Sequence, residues 1–320
     1  MQNDGERYLL SDLSSRTIEE NVAMDPLASA SELQSTWSRT ANKLKQTIDR
    51  TRWATLTLSA IAALLAAVAS QVATEHDSWR LRLAVASAVL LGVVSFLSSR
   101  LLGGTQVSAW TRMRAASEAL KGAIYKYSAL AAPFDDQLHA AERFNEEREK
   151  IAENIDDLLS LLEPNQGAGS APSTRFASPS DYIDERVRKQ IAWFRKKADD
   201  FAPVAKRLRA IEFALSLLAA VVTAAVGVAG KNLFGLGFDF VALTSVLTTI
   251  GGAILAHAEA SRYDFLIATY RATALRLDNE LSNVNAGLAV PSPDWSSFVE
   301  RCETILSTEN GAWQAKFGRA

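Results

Sequence analysis

Serine and threonine hydroxyls are the chemically versatile groups inside the most apolar stretches of this chain. Ser87 and Ser95 stand in one such stretch, and Thr244, Ser245, Thr248 and Thr249 in another. In hydrocarbon a hydroxyl has two uses. It can donate to a carbonyl one turn earlier on its own helix, or it can face water and line a pore. The second use makes these six residues candidate pore-lining groups. It also requires several copies of the chain, because four helices hardly enclose a conducting pore alone. A selectivity ring of carboxylates is not evident; Arg80, Arg82, Lys231 and Asp239 mark the mouths.

A second constellation is basic. Arg186, Arg188, Lys189, Arg195, Lys196, Lys197, Arg207 and Arg209 crowd the approach to the third apolar stretch. Such a run orients the chain and draws anionic headgroups, at roughly 1 kcal/mol per charge near an anionic surface. It could equally contact a nucleotide signal or an acidic partner. The remaining reactive residue types are scattered. His76, His139 and His257 lack metal-ligand spacing, and His76 and His257 read as interfacial polar residues. Cys302 lies on an apolar helix face and reads as core. No glycine loop is arranged to cradle phosphate. We therefore expect no enzymatic activity, no metal and no cofactor.

The elements that position these groups follow from charge segregation. The 320 residues carry 48% hydrophobic residues and a net charge of -2, so no global field points to nucleic acid. Four stretches are nearly free of charge: 53–74, 83–99, 213–230 and 240–258. Each can cross a hydrocarbon core of about 30 Å, the second with help from snorkelling arginines at its ends. They contain no intramembrane carboxylate or basic group of the kind that marks proton- and ion-coupled transporters. The fold class expected is an all-α membrane protein with four transmembrane helices, arranged as two tandem hairpins with long cytoplasmic helical extensions.

Polar residues at Met1–Glu20 give no leader with an apolar core, so the first span is expected to act as the targeting signal. Lysines and arginines gather before spans one and three and after span two, which places both termini and the central segment in the cytoplasm. The localisation expected is a bacterial inner membrane, crossed several times. Small residues form rows within the spans: Ala62, Ala66 and Ser70; Ala84, Ala88 and Gly92; Ala219, Thr223 and Gly227; Thr244, Thr248, Gly252 and Ala256. At four-residue spacing these are packing seams first.

The second half reads as a worn copy of the first. Trp53 and Phe213, and likewise Trp110 and Tyr270, are separated by about 160 residues, with Trp37 and Trp193 close to that offset. Two copies of one topology can be related by a pseudo-two-fold along the membrane normal. The organisation expected is a flexible tail at 1–30, a first helix–hairpin–helix copy with an appended amphipathic helix at 31–162, a Pro/Gly/Ser-rich linker at 163–180, a second copy at 181–290, and an amphipathic helix at 291–320. In that last helix Trp295, Phe298, Val299, Cys302, Ile305 and Leu306 share one face. Pro133 and Pro291 mark the ends of the helices that follow each hairpin.

Several of these residues carry a resemblance. Tyr182-Ile183-Asp184-Glu185-Arg186-Val187, then Gln190, Trp193-Phe194 and Lys197-Ala198, resemble the opening of a bacterial tandem-hairpin family. That family lies within SLATT, the two-transmembrane superfamily associated with SMODS nucleotidyltransferases and SLOG sensor domains. Trp110, Arg114, Ala116, Glu118, Leu120, Lys121 and Tyr125 are similar to its post-hairpin helix, and Phe298 to Trp313, with Glu303, Leu306 and Glu309, to its closing helix. One position departs: Leu275 stands four after Arg271, where the motif has glutamate. The resemblance implies an oligomeric, pore-forming or membrane-perturbing effector of antiviral conflict systems, triggered by a partner nucleotide-signal enzyme or sensor. The alternative is a membrane-anchored scaffold or sensor whose cytoplasmic helices recruit partners.

Overall fold

A computed structural model describes residues 26–72, 76–163, 171–230, 240–284 and 290–317, without the side chains of Trp313, Gln314, Lys316 and Phe317. The hairpin-turn residues Lys231 and Asp239, and the start of the linker, lie outside the described residues. Every described element is helical. α1 (Pro26–Gln71) runs through span one, α2 (Asp77–Leu101) holds span two, and α3 (Gly104–Ser128) follows. α4 (Ala140–Glu153) and a 3-10 turn (Asp156–Leu161) come next. α5 (Pro179–Tyr182) leads through a π-helical turn (Ile183–Arg188) into α6 (Lys189–Ala229), which contains span three. α7 (Phe240–Ser261) holds span four, and α8 (Tyr263–Ser282) and α9 (Pro293–Phe317) complete the order. α1, α2, α6 and α7 are the four helices long and apolar enough to cross a membrane. This is an all-α membrane protein.

Spans one and three are continuous with the charged helices before them, because an unbroken ladder leaves no backbone group unpaired in hydrocarbon. Spans two and four end differently. α2 stops at Leu101, and Leu102 donates its N–H back to the Ser98 carbonyl. α7 stops at Arg262, which is left-handed at φ 52 without being glycine. Nothing in the sequence around Arg262 signals that break. α6 carries Pro203 in its interior, ten positions before span three. α1 begins inside the stretch expected to be a flexible tail. Pro26 suits a first helical position because its missing N–H would be unpaired there anyway, and Leu27 and Ala30 are buried.

The chain divides into two compact units that cut across the sequence repeat. Unit 1 gathers Met1–Ala41, Arg112–Lys189 and Asn279–Ala312; unit 2 gathers Asn42–Thr111, Gln190–Asp278 and Trp313–Ala320. Unit 1 is built on aromatic rings and long-range polar ties. Tyr127, Phe134 and Phe144 pack ring on ring at 4.5 to 5.8 Å. The Trp295 indole N–H donates to the Ala129 carbonyl at 2.7 Å, and Ser31 donates to the Ala171 carbonyl at 2.9 Å. In the second tie, part of the segment expected as linker belongs to the core. Unit 2 holds the spans. Of the most apolar stretch of each, only 11, 6, 11 and 28% is buried against protein, so most of that surface is left to lipid or to other helices.

Candidate functional site

In unit 1 an arginine and a glutamate meet where neither can reach water. The Arg186 guanidinium donates to both Glu303 carboxylate oxygens, Nε to Oε1 at 2.9 Å and an Nη to Oε2 at 2.8 Å, with side-chain exposures of 3% and 4%. Tyr182 donates its hydroxyl to Oε1 at 3.1 Å. The guanidinium plane lies over the Tyr125 ring, 4.3 Å from its centroid. Burial opposes the charge on Arg186, but the paired carboxylate outweighs it and holds the group protonated. Burial, then Glu303, pushes the Tyr182 phenol well above its ordinary range.

Local sequence sets this geometry. Ser178 and Asp181 form a capping box that starts the short helix. The π-helical turn after it brings Tyr182 and Arg186 onto one buried side, and π-turns concentrate at functional positions. Glu303 extends the apolar face of α9, where Trp295, Phe298, Val299, Cys302 and Leu306 are all buried. Around the pair stand Glu118, Lys121 and Arg114 from α3. Burial would raise the Glu118 carboxyl, but Lys121, Arg114 and Arg186 hold it below its ordinary value. Lys121 is lowered, chiefly by burial. Further along α9, Glu309 is buried, its Oε1 lacks a hydrogen-bond partner, and burial pushes its carboxyl up to about 7. Cys302, also buried, is pushed up to about 12 by burial and then by Glu303, which keeps it a thiol.

Unit 2 presents the hydroxyls. Thr244 and Ser245 donate to the Phe240 and Val241 carbonyls at 3.2 Å. Thr248 donates to the Thr244 and Ser245 carbonyls at 3.0 Å, and Thr249 to Ser245 at 2.7 Å. Ser87 is buried and donates across to the Ala62 carbonyl of span one at 2.8 Å; Ser95 is exposed. A cavity of about 330 Å³ lies among spans one, two and four, with Ser59, Ser70, Ser87, Ser245 and Thr249 on its wall. Ser95, Thr244 and Thr248 stand outside it. Of the small-residue rows, Ala62 and Ala219 are buried. The row Ala84, Ala88 and Gly92 faces outward, as do Thr248, Gly252 and Ala256. A β-carbon added at Gly92 or Gly252 would meet nothing within 4 Å. The inner face of span four is instead Val246, Leu247, Gly251 and Ile254.

Residues 182–313 match the SMODS and SLOG-associating 2TM effector domain 1, and residues 35–142 match a protein family of unknown function, DUF4231. The first match covers most of the second half of the chain and is consistent with a SLATT-family protein. No curated protein and no solved structure matches the chain. The SLATT match opens at Tyr182 and closes after Glu309, so it contains Tyr182, Arg186 and Glu303 together.

The SLATT motif positions separate by environment. Trp110 is buried, Arg114, Glu118 and Lys121 are half-buried about the ion pair, and Gln190 is half-buried. Glu185 is exposed and pairs with Lys189. Trp193 is 38% exposed, beside Phe194 and Tyr270, whereas Trp37, its sequence counterpart, is buried at 1%. Leu275 is 61% exposed, so the motif glutamate missing there has no buried counter-charge to meet.

The basic run does not act as one surface. Arg186 leaves it for the core. Arg188 pairs with Asp184 at 3.0 Å, Arg195 with Asp278, Lys197 with Asp200 at 4.0 Å and Arg209 with Asp264. Lys196 and Arg207 are exposed without an ion pair among the described residues. Sequence reasoning placed Arg186 with its neighbours and missed Glu303 as its partner. The available signal was that Glu303 and Glu309 fall on the apolar face of α9, where an acid needs a buried cation.

Proposed function

We propose that this SLATT protein is an oligomeric membrane effector that forms a pore or breaches the bilayer of a bacterial inner membrane when a cytoplasmic signal acts on unit 1. Both termini lie in the cytoplasm, and the chain itself catalyses no reaction. A nucleotide-signal enzyme or sensor supplies the trigger, and the response serves antiviral defence. The observation that carries this reading is the pair of outward small-residue rows, Ala84-Ala88-Gly92 and Thr248-Gly252-Ala256. Small residues let helices from separate chains approach closely, and a monomer has no use for them on its outside. Span four brings its hydroxyls to that same interface.

The scaffold reading is favoured by one fact: the span-four hydroxyls already donate to their own backbone. The two readings part in bacterial cells carrying a voltage-sensitive dye. Induction of the parent is expected to depolarise the membrane. Gly252→Leu is expected to abolish depolarisation and detergent-stable oligomers while leaving monomer stability unchanged. Thr244→Val, Thr248→Val and Thr249→Val together are expected to slow it. A potential that holds at high expression, with a co-expressed signal enzyme, would move the assignment to a scaffold.

A further inference from the structure

We propose that unit 2 holds one acyl chain of a membrane lipid in the cavity among spans one, two and four. This seat is separate from the outward small-residue rows assigned to contacts between copies, and it does not depend on pore formation.

Side-chain size makes the cavity. Ser59, Ala63, Ala66, Ala67 and Ser70 line it along span one, with Ala242 opposite on span four. Residues this small leave a furrow that larger ones would fill to the density of a protein interior. Ala62, Ser87 and Val246 are buried and form its floor, whereas Ala66, Ser70, Leu91, Ser245 and Thr249 are exposed and form its rim. The furrow is therefore continuous with the surface that these spans present to the bilayer.

Two magnitudes select the occupant. From Ser59 to Ser70 the helix rises about 17 Å, a little over half of a hydrocarbon core of about 30 Å, which is the depth of one leaflet. A volume of about 330 Å³ over that length leaves a mean width of about 5 Å. A single file of methylenes, whose carbons meet their neighbours at about 3.5–4.0 Å, fits that width. A helix of a second copy, about 10–12 Å across, does not. Water needs about two to four polar partners, and most of the wall hydroxyls already donate to backbone: Ser70 to Ala67, Ser87 to Ala62, Ser245 to Val241 and Thr249 to Ser245. Ser70, Ser87 and Ala242 lie near the hairpin-turn ends of their spans, and Ser59 lies deeper. The chain thus enters from the leaflet at the turns, whichever way the protein is oriented.

The full chain is reconstituted in vesicles of phosphatidylethanolamine and phosphatidylglycerol. They carry a trace of phospholipid with a diazirine midway along one acyl chain. After irradiation the labelled positions are mapped by mass spectrometry. Label is expected to concentrate several-fold at Ala66, Ala67, Ser245 and Thr249 over Val221, which span three exposes. Ala63→Leu with Ala67→Leu fills the furrow and is expected to remove that excess, whereas Val221→Leu keeps it. Should the leucine pair fail to fold, Ala67→Val alone is expected to reduce the excess. Label spread evenly over the lipid-facing side chains overturns the seat, as does an excess that survives the filled variants. Disulfide-linked dimers of Ala67→Cys in place of label would overturn it in favour of a second copy.

Discussion

Arg186 and Glu303 show what a buried charge costs when its partner is taken away. A fully desolvated ion pair contributes little net stability, yet removing one member leaves an unpaired charge in the core, at about 3–5 kcal/mol. Glu303→Ala is therefore expected to lower the unfolding midpoint sharply, and Arg186→Met with Glu303→Leu to recover much of that loss. Denaturant unfolding of the three proteins side by side checks this. Glu309 sets a pH dependence. Its folded value of about 7 lies above the ordinary 4.5, so the native state binds the extra proton between those values. Stability is full below about 4.5 and falls as pH rises to about 7, by on the order of 3 kcal/mol. Glu309→Gln is expected to flatten that slope in thermal scans run across the range. Neither residue's environment was legible from local sequence. Charges at three- and four-residue spacing ordinarily describe a solvated helix face, and the partner of Arg186 lies 117 positions away.

The helices were legible because hydrophobic periodicity and uncharged runs report directly on which surface leaves water. Their continuity through spans one and three followed from the same pattern. Their breaks did not. Arg262 turns the backbone left-handed without a glycine or proline to announce it, and a π-helical turn has no compositional signature. Pro203 is the reverse case: the sequence shows a breaker, yet α6 runs on through it. A proline ring clashes with the carbonyl four residues earlier and removes one donor, an effect of about 3 kcal/mol in a helix interior. Pro203→Ala is expected to unfold at higher temperature. A lower Tm would mean that the proline itself is required for packing.

At the scale of the whole chain, the four spans and the likeness to SLATT were both readable from residues alone, whereas the grouping into two units was not. Packing draws on segments far apart in the chain, which pairwise offsets cannot reveal. The proposed orientation can be tested with the chain's own chemistry. Cys302 is buried and pushed up to about 12, so it reacts poorly with thiolate-directed reagents and leaves a dark background. A cysteine placed at Asp77 is expected to react with an impermeant maleimide on intact spheroplasts. One placed at Asp135 is expected to react only after the membrane is opened. Labelling in the opposite order would invert the topology.

The distance along the chain between Arg186 and Glu303 also fixes a schedule. A ribosome adding about 5–20 residues per second needs about 6–23 s to cover the 117 positions from one to the other. Throughout that interval the spans already made can enter the bilayer while Arg186 lacks its carboxylate partner. The membrane effector proposed above would thus be made with this joint of unit 1 open until Glu303 emerges. Products that stall between the end of span four and that codon would carry all four spans and no clasp. Ribosome stalling on this message should therefore matter to the host more than the loss of a few dozen residues would suggest.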